Sequence, residues 1–143
     1  MSESVMNVHV VSLTESIFSG TARMVRVPGI QGELGIYPKH ARLLTKLMPG
    51  PAHIQLPNGQ EEIIFISGGF LEVQPDQVTI LAEMVVRAAD VDERAALLAR
   101  ENAQRQLTAQ KQDIDYALAR SELLRAAALL QTIKAYRAHL KQY

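Results

Sequence analysis

The residues able to do chemistry are few, and their spacing does not assemble them. The most suggestive stretch is Gly29-Ile30-Gln31-Gly32-Glu33-Leu34-Gly35, whose glycines fall in a G-x-x-G-x-x-G pattern. A dinucleotide loop needs G-x-G-x-x-G, and a phosphate loop ends in Lys followed by Ser or Thr. Neither is present, and glycines at positive φ in a tight loop are the simpler reading. The four histidines are His9, His40, His53 and His139. No two sit at a metal-ligand spacing such as H-x-H or H-x-x-x-H. His53 alternates with apolar neighbours and is expected to face solvent. Asp90-Val91-Asp92 and Asp113-Ile114-Asp115 pair carboxylates, but both sit where helix caps belong. Ser67-Gly68-Gly69 lacks the G-x-S-x-G elbow of a nucleophile. Glu61 and Glu62 are neighbours on a strand and so face opposite sides, unable to act on one substrate atom. With no cysteine, disulfides and thiolate zinc sites are excluded. The expectation is a protein with no catalytic residues, no cofactor and no metal, working by contact with partners.

The elements that position these residues divide the chain near Ala89. All eight glycines and all six prolines precede it. Both residues are costly inside helices, so the first part reads as short strands and the second as helix. Ala52 to Leu56 alternates with period two, Pro57-Asn58-Gly59 turns, and Glu61 to Ser67 resumes as a strand. Leu71 to Val73, a turn at Gln74-Pro75-Asp76-Gln77 and Val78 to Ala82 repeat the pattern. Val8 to Leu13 and Met24 to Val27 are further strands. This spacing indicates a β-sandwich or barrel. In the second part, Asp90 with Glu93 resembles a capping box. Ala95, Ala96, Ala99, Ala103 and Leu107 form a narrow apolar stripe. Asp113 caps a second helix whose seam runs Tyr116, Ala119, Leu123, Ala126, Leu130, Ile133, Arg137 and Leu140, with Arg137 alone breaking it. Two Ala-rich seams suit an antiparallel hairpin. The break at Thr108 to Gln112 holds neither Gly nor Pro, so one long helix from Asp92 stays open as an alternative.

Charge is balanced across the chain, with fifteen basic and fifteen acidic residues. That excludes a general electrostatic preference for nucleic acid or anionic lipid. Residues 116–143 nonetheless carry five basic groups against one acidic. Cations near a helix C-terminus are favourable in themselves; they also suit an acidic partner. Met1 to Asn7 has neither the basic n-region of a signal peptide nor transit-peptide character. No window approaches the 18 or so apolar residues of a membrane span.

Three stretches carry a resemblance to a known family. Gly32-Glu33-Leu34-Gly35-Ile36-Tyr37-Pro38-Lys39-His40-Ala41-Arg42-Leu43-Leu44-Thr45 resembles the GELGI-P-HA-LLT signature of epsilon subunits of the bacterial F-type ATP synthase. Ser67 to Val73 followed by Val78 to Ala82 is similar to the family's SGG-LEV…VTVLA segment. Asp113 to Leu130 is similar to its second helix. The resemblance implies an α+β fold: a β-sandwich of two antiparallel sheets over 1–89, then an antiparallel helical hairpin over 90–143.

The same resemblance implies a non-catalytic rotor subunit of the central stalk. The sandwich is expected to bind the gamma subunit and rest on the c-ring, with Glu33 and His40 on the ring side. The hairpin is expected to inhibit ATP hydrolysis by extending toward the beta and alpha subunits, with Arg125, Lys134, Arg137 and Lys141 as the inhibitory contacts. The implied location is peripheral, on the cytoplasmic face of a bacterial membrane. Some members bind ATP through an Ile/Leu-Asp-x-x-Arg-Ala pattern; here Asp92 and Arg94 are the corresponding candidates. Arg94 arrives one residue early, about 100° around the helix, and departs from that pattern. A scaffold with a coiled-coil tail and a small β-fold enzyme are the competing classes, and a plastid epsilon subunit is a variant of the first.

Overall fold

The computed structural model describes residues 4–109 and 113–141. Eight strands come first: β1 (Met6–Val11), β2 (Ser16–Ala22), β3 (Met24–Gly29), β4 (Gly32–Ile36), β5 (Leu43–Gln55), β6 (Glu61–Gln74), β7 (Gln77–Leu81) and β8 (Val85–Arg87). A short 3-10 turn (Ala88–Asp90) leads to helices α1 (Glu93–Ala109) and α2 (Asp113–Leu140).

The strands form a β-sandwich whose hydrogen bonding is continuous, in the order β2-β1-β7-β6-β5-β3-β4, with β8 beside β6. All pairs are antiparallel except β1 with β7, which run parallel with Asn7 opposite Gln77 and Val11 opposite Leu81. The expectation of two purely antiparallel sheets missed that pair, because parallel pairing joins distant segments and leaves no local signal.

The two layers share β5 and β6. Leu43 to Leu47 pairs with Gly69 to Val73, and Pro49 to Gln55 pairs with Glu61 to Ser67. Each strand turns the corner between layers in its middle. On β6 the corner is Gly68-Gly69, at φ 100° and 130°. A Cβ on Gly69 would lie 2.0 Å from the Leu81 carbonyl oxygen, so only glycine fits. The core between the layers is aliphatic: Val8, Val10, Val25, Val27, Ile36, Ile54, Ile64, Ile66, Leu71, Val73, Val78 and Ile80 are buried. Their alternate positions supply the inward face of each strand.

Three strands escaped the sequence reading: β2, β4 and the three-residue β8. β2 is an edge strand rich in Ser, Gly and Thr, and its polar outer face hides the period. β4 lies within the glycine-rich stretch that reads as a loop. It pairs with β3 through Gly29 opposite Gly32, leaving only Ile30 and Gln31 as the turn. Of its glycines, Gly32 takes a positive φ, 130°.

The helices stack outward from the sandwich. α2 lies across β5 and β6, and α1 packs on α2. Ala119, Ala126 and Ile133 are buried on the seam facing α1, whose Ala96 and Ala103 are buried in return. Ala95 and Ala99, expected on that seam, are exposed. α2 has a second buried stripe roughly opposite the first. Ala128 and Thr132 are buried there, with Ala135 and His139 half-buried along it. The Thr132 hydroxyl donates to Ala128 O within the helix, 2.8 Å, so its burial leaves no polar group unsatisfied. The seam expected from sequence omitted this stripe. Its Ala-x-x-x-Thr-x-x-Ala-x-x-x-His pattern is the signal that was there to read. Of the expected break, residues 110–112 lie outside the described residues, as does the side chain of Asp113.

Candidate functional site

Glu33 stands on the edge strand β4 with its side chain well exposed, and its Oε1 is 3.5 Å from Arg26 Nε on β3. Beside it, a shallow depression of about 390 Å³ is lined by Ile30, Gln31, Leu34, Leu43 and Thr45. His40 follows in the loop after β4. Its backbone N–H donates to Tyr37 O at 3.2 Å, and its Nδ1 donates to Ala41 O at 2.6 Å. Lys39, just before it, takes a left-handed φ of 67° and donates to Pro75 O. The loop is therefore pinned to the β6–β7 turn, with a carboxylate and an imidazole on two consecutive segments.

A second surface is apolar and uncovered. Phe70 on β6 lies opposite Leu81 on β7 and Lys46 on β5. Both Phe70 and Leu81 are exposed, as are Leu13 and Leu44. Leu13, Phe70 and Leu81 line an open hollow of about 350 Å³ at the Gly68-Gly69 corner. Large apolar side chains at outward strand positions signal a face that another surface covers. The sequence carried that signal in Leu44, Phe70 and Leu81, each apolar where the alternation calls for polar.

The helix cations divide. Lys134, Arg137 and Lys141 share one groove between the helices with Glu93, Leu97 and Arg100. Arg125 lies nine residues before Lys134 in a separate groove, beside Glu122 and Asn102. Arg137, which breaks the apolar seam, forms a two-pronged pair with Glu93: Nη1 to Oε1 is 3.1 Å, and Nη2 meets Oε2. Its hydrogen bond holds the Glu93 carboxyl below the usual range and raises Arg137 in turn. The expected capping box from Asp90 does not form, because α1 begins at Glu93 and leaves Asp90 outside its first turn. Asp90 ends the 3-10 turn, and Asp92 caps α1 instead, its Oδ1 accepting from Ala95 N at 3.1 Å. Asp92 is thereby occupied in holding the helix start, and Arg94 faces solvent.

His53 is buried, contrary to the expectation that it faces solvent. Alternation alone assigned it correctly to the outer face, opposite the core. That face is covered by α2, which the pattern within β5 could not reveal. Pro51 and His53 stand opposite Phe65 and Ile63, and all four are buried. Among the described residues, no group of three or more His, Cys, Asp or Glu side chains is placed to hold a metal ion. Among the described residues, no helix is long and apolar enough to cross a membrane.

Comparison with known proteins places this architecture. Residues 5–88 match the β-sandwich domain of the ATP synthase delta/epsilon chain, and residues 89–134 match that chain's long α-helix domain. The chain belongs to the ATP synthase delta/epsilon family. An ATP synthase epsilon chain from Polaromonas naphthalenivorans is 48% identical over 132 residues, covering 92% of this chain and 96% of that protein. Another, from Acinetobacter baumannii, is 51% identical over 129 residues, covering 90% and 93%. The fold also recurs in a cryo-EM structure of the Euglena gracilis mitochondrial ATP synthase, with TM-score 0.80 at 20% identity over 87% of this chain and 79% of that one. A cryo-EM structure of the central stalk and c-ring of the Tetrahymena thermophila mitochondrial enzyme gives 0.65 at 16% identity, covering 93% and 99%. As a member of the epsilon family, the chain is an accessory, non-catalytic subunit of an ATP synthase.

Proposed function

We propose that this epsilon chain is a coupling plate with a movable brake. The sandwich binds the gamma subunit through the uncovered face of Leu13, Leu44, Phe70 and Leu81. It rests on the c-ring through the β3–β4 hairpin, with Glu33 as the principal contact and His40 beside it. It thus sits peripherally at the cytoplasmic face of the bacterial membrane, held by its partners. The helical hairpin inhibits ATP hydrolysis when it leaves the sandwich and extends toward the beta and alpha subunits.

The observation that carries this reading is the stacking order of sandwich, α2, α1. α2 holds both interfaces, so one separation frees the whole arm. Its 28 residues span about 42 Å when extended. Arg125, Lys134 and Lys141 are exposed and ready for an acidic partner, whereas Arg137 must first release Glu93. Deleting residues 116–143 is expected to relieve inhibition of ATP hydrolysis in the assembled enzyme; an unaltered rate refutes the brake. Co-purification with gamma tests the plate separately.

A further inference from the structure

One polar cluster is buried where α2 meets the sandwich. His53 Nδ1 on β5 lies 3.4 Å from Glu61 Oε1 on β6. His139 Nδ1, in the last turn of α2, lies 3.6 Å from the other oxygen, Glu61 Oε2. Both imidazoles are about nine-tenths buried at the side chain, and the Glu61 side chain is 23% exposed. One carboxylate therefore serves two histidines across the interface, through contacts at or beyond the outer limit of a hydrogen bond.

We propose that this cluster is a proton-sensitive latch, which holds α2 on the sandwich while His53 is neutral and loosens as His53 takes up a proton. The charged groups facing His53 come from four elements. Arg26 on β3 stands directly opposite it in register. Glu33 on β4 pairs with that arginine. Glu61 on β6 and His139 on α2 complete the set. Burial is the largest influence on His53 and lowers its proton affinity, and Arg26 lowers it further. Glu61 and Glu33 oppose this without cancelling it. When α2 departs, His53 meets water and the largest of these influences is lifted, so its proton affinity rises toward the ordinary histidine range. The undocked state thus binds more protons, so docking is at full strength above about pH 7 and weakens as pH falls below it. Because Arg26 pairs with Glu33 and its charge acts on His53 from the opposite register position, a change at the ring-side hairpin also alters the latch.

The inference rests on the reading of the hairpin as a movable arm, and its test does not use the brake. The chain has no cysteine, so cysteines placed at Asn58 and Gln131 take a donor and an acceptor dye without interference. Between pH 7.5 and 5.5 the ratio of undocked to docked arm is expected to rise several-fold, bounded at about tenfold for a single group of ordinary value. His53→Gln is expected to remove the response. A pH-independent distance, or the same response in His53→Gln, overturns the latch. The His53 ring resonance in the otherwise unaltered labelled chain gives a second measurement. It is expected to titrate below the ordinary value and in step with the distance; titration without any change of distance also overturns the proposal. Loss of the pH response with braking retained removes the latch alone, and the converse removes the brake alone.

Discussion

Under the proposed brake, the seam between the helices must also part as the arm extends, and Ala103 is the place to probe it. Ala103 is fully buried, as is Ala119, and Ala126 is 1% exposed. α1 packs chiefly on α2, so these alanines meet each other and set a close approach of the axes. Leu at 103 adds three carbons at a fully buried position. Overpacking of this kind costs about 1–3 kcal/mol. That multiplies the open-to-closed ratio about 5- to 150-fold. Ala95→Leu is the control, because Ala95 is exposed although its sequence spacing assigns it to the seam. Thermal unfolding of each variant and ATP hydrolysis by the reassembled enzyme are the two readouts. Ala103→Leu is expected to melt the helices earlier and to deepen inhibition, with Ala95→Leu close to the parent. Equal behaviour of the two variants refutes the packing argument. An earlier melt with unchanged hydrolysis refutes its link to the brake.

Gly69→Ala forces a Cβ against the Leu81 carbonyl at the layer corner; a loss above about 2 kcal/mol is expected in denaturant unfolding. Phe70→Asp or Leu81→Asp is expected to abolish gamma co-purification while leaving the unfolding midpoint nearly unchanged, since both side chains are already exposed. Arg137→Ala removes the partner that holds the Glu93 carboxyl below its ordinary value. Because Glu93 is lowered in the closed hairpin, its contribution is present above the ordinary carboxylate range and is lost as pH falls through that range. The parent hairpin is therefore expected to weaken as pH falls below about 5, and Arg137→Ala to show less of that acid dependence by helical circular dichroism.

The sandwich-and-hairpin plan was legible because its signals are local. Turn residues at 57–59 and 74–77, alternation on β5 and β7, and the total change of Gly and Pro usage near Ala89 each report on neighbours in the chain. The β1–β7 pairing, the covered environment of His53 and the second buried stripe of α2 were not legible. Each depends on a surface brought from elsewhere in the chain. Arg137 shows the same limit from the other side. It read as a flaw in a seam, and its reason is Glu93, 44 residues away. Glu33 enters only through the resemblance of its Gly-Glu-Leu-Gly stretch to the family signature; its own strand gives no signal of a site. Leu44, Phe70 and Leu81 each break the alternation in the sequence, but that they form one face depends on the pairing across the sheet.

The parallel join of β1 to β7 also governs how the protein is born. Asn7 pairs with Gln77, so the first strand emerges from the ribosome well before its neighbour exists. At about 5–20 residues per second that delay is roughly 4 to 14 s. Until then β1 has only its hairpin with β2, and a two-stranded ribbon is marginal in water. The nascent chain must therefore shield Val8 and Val10 for seconds. The helices, translated last, close over a body that has only just formed.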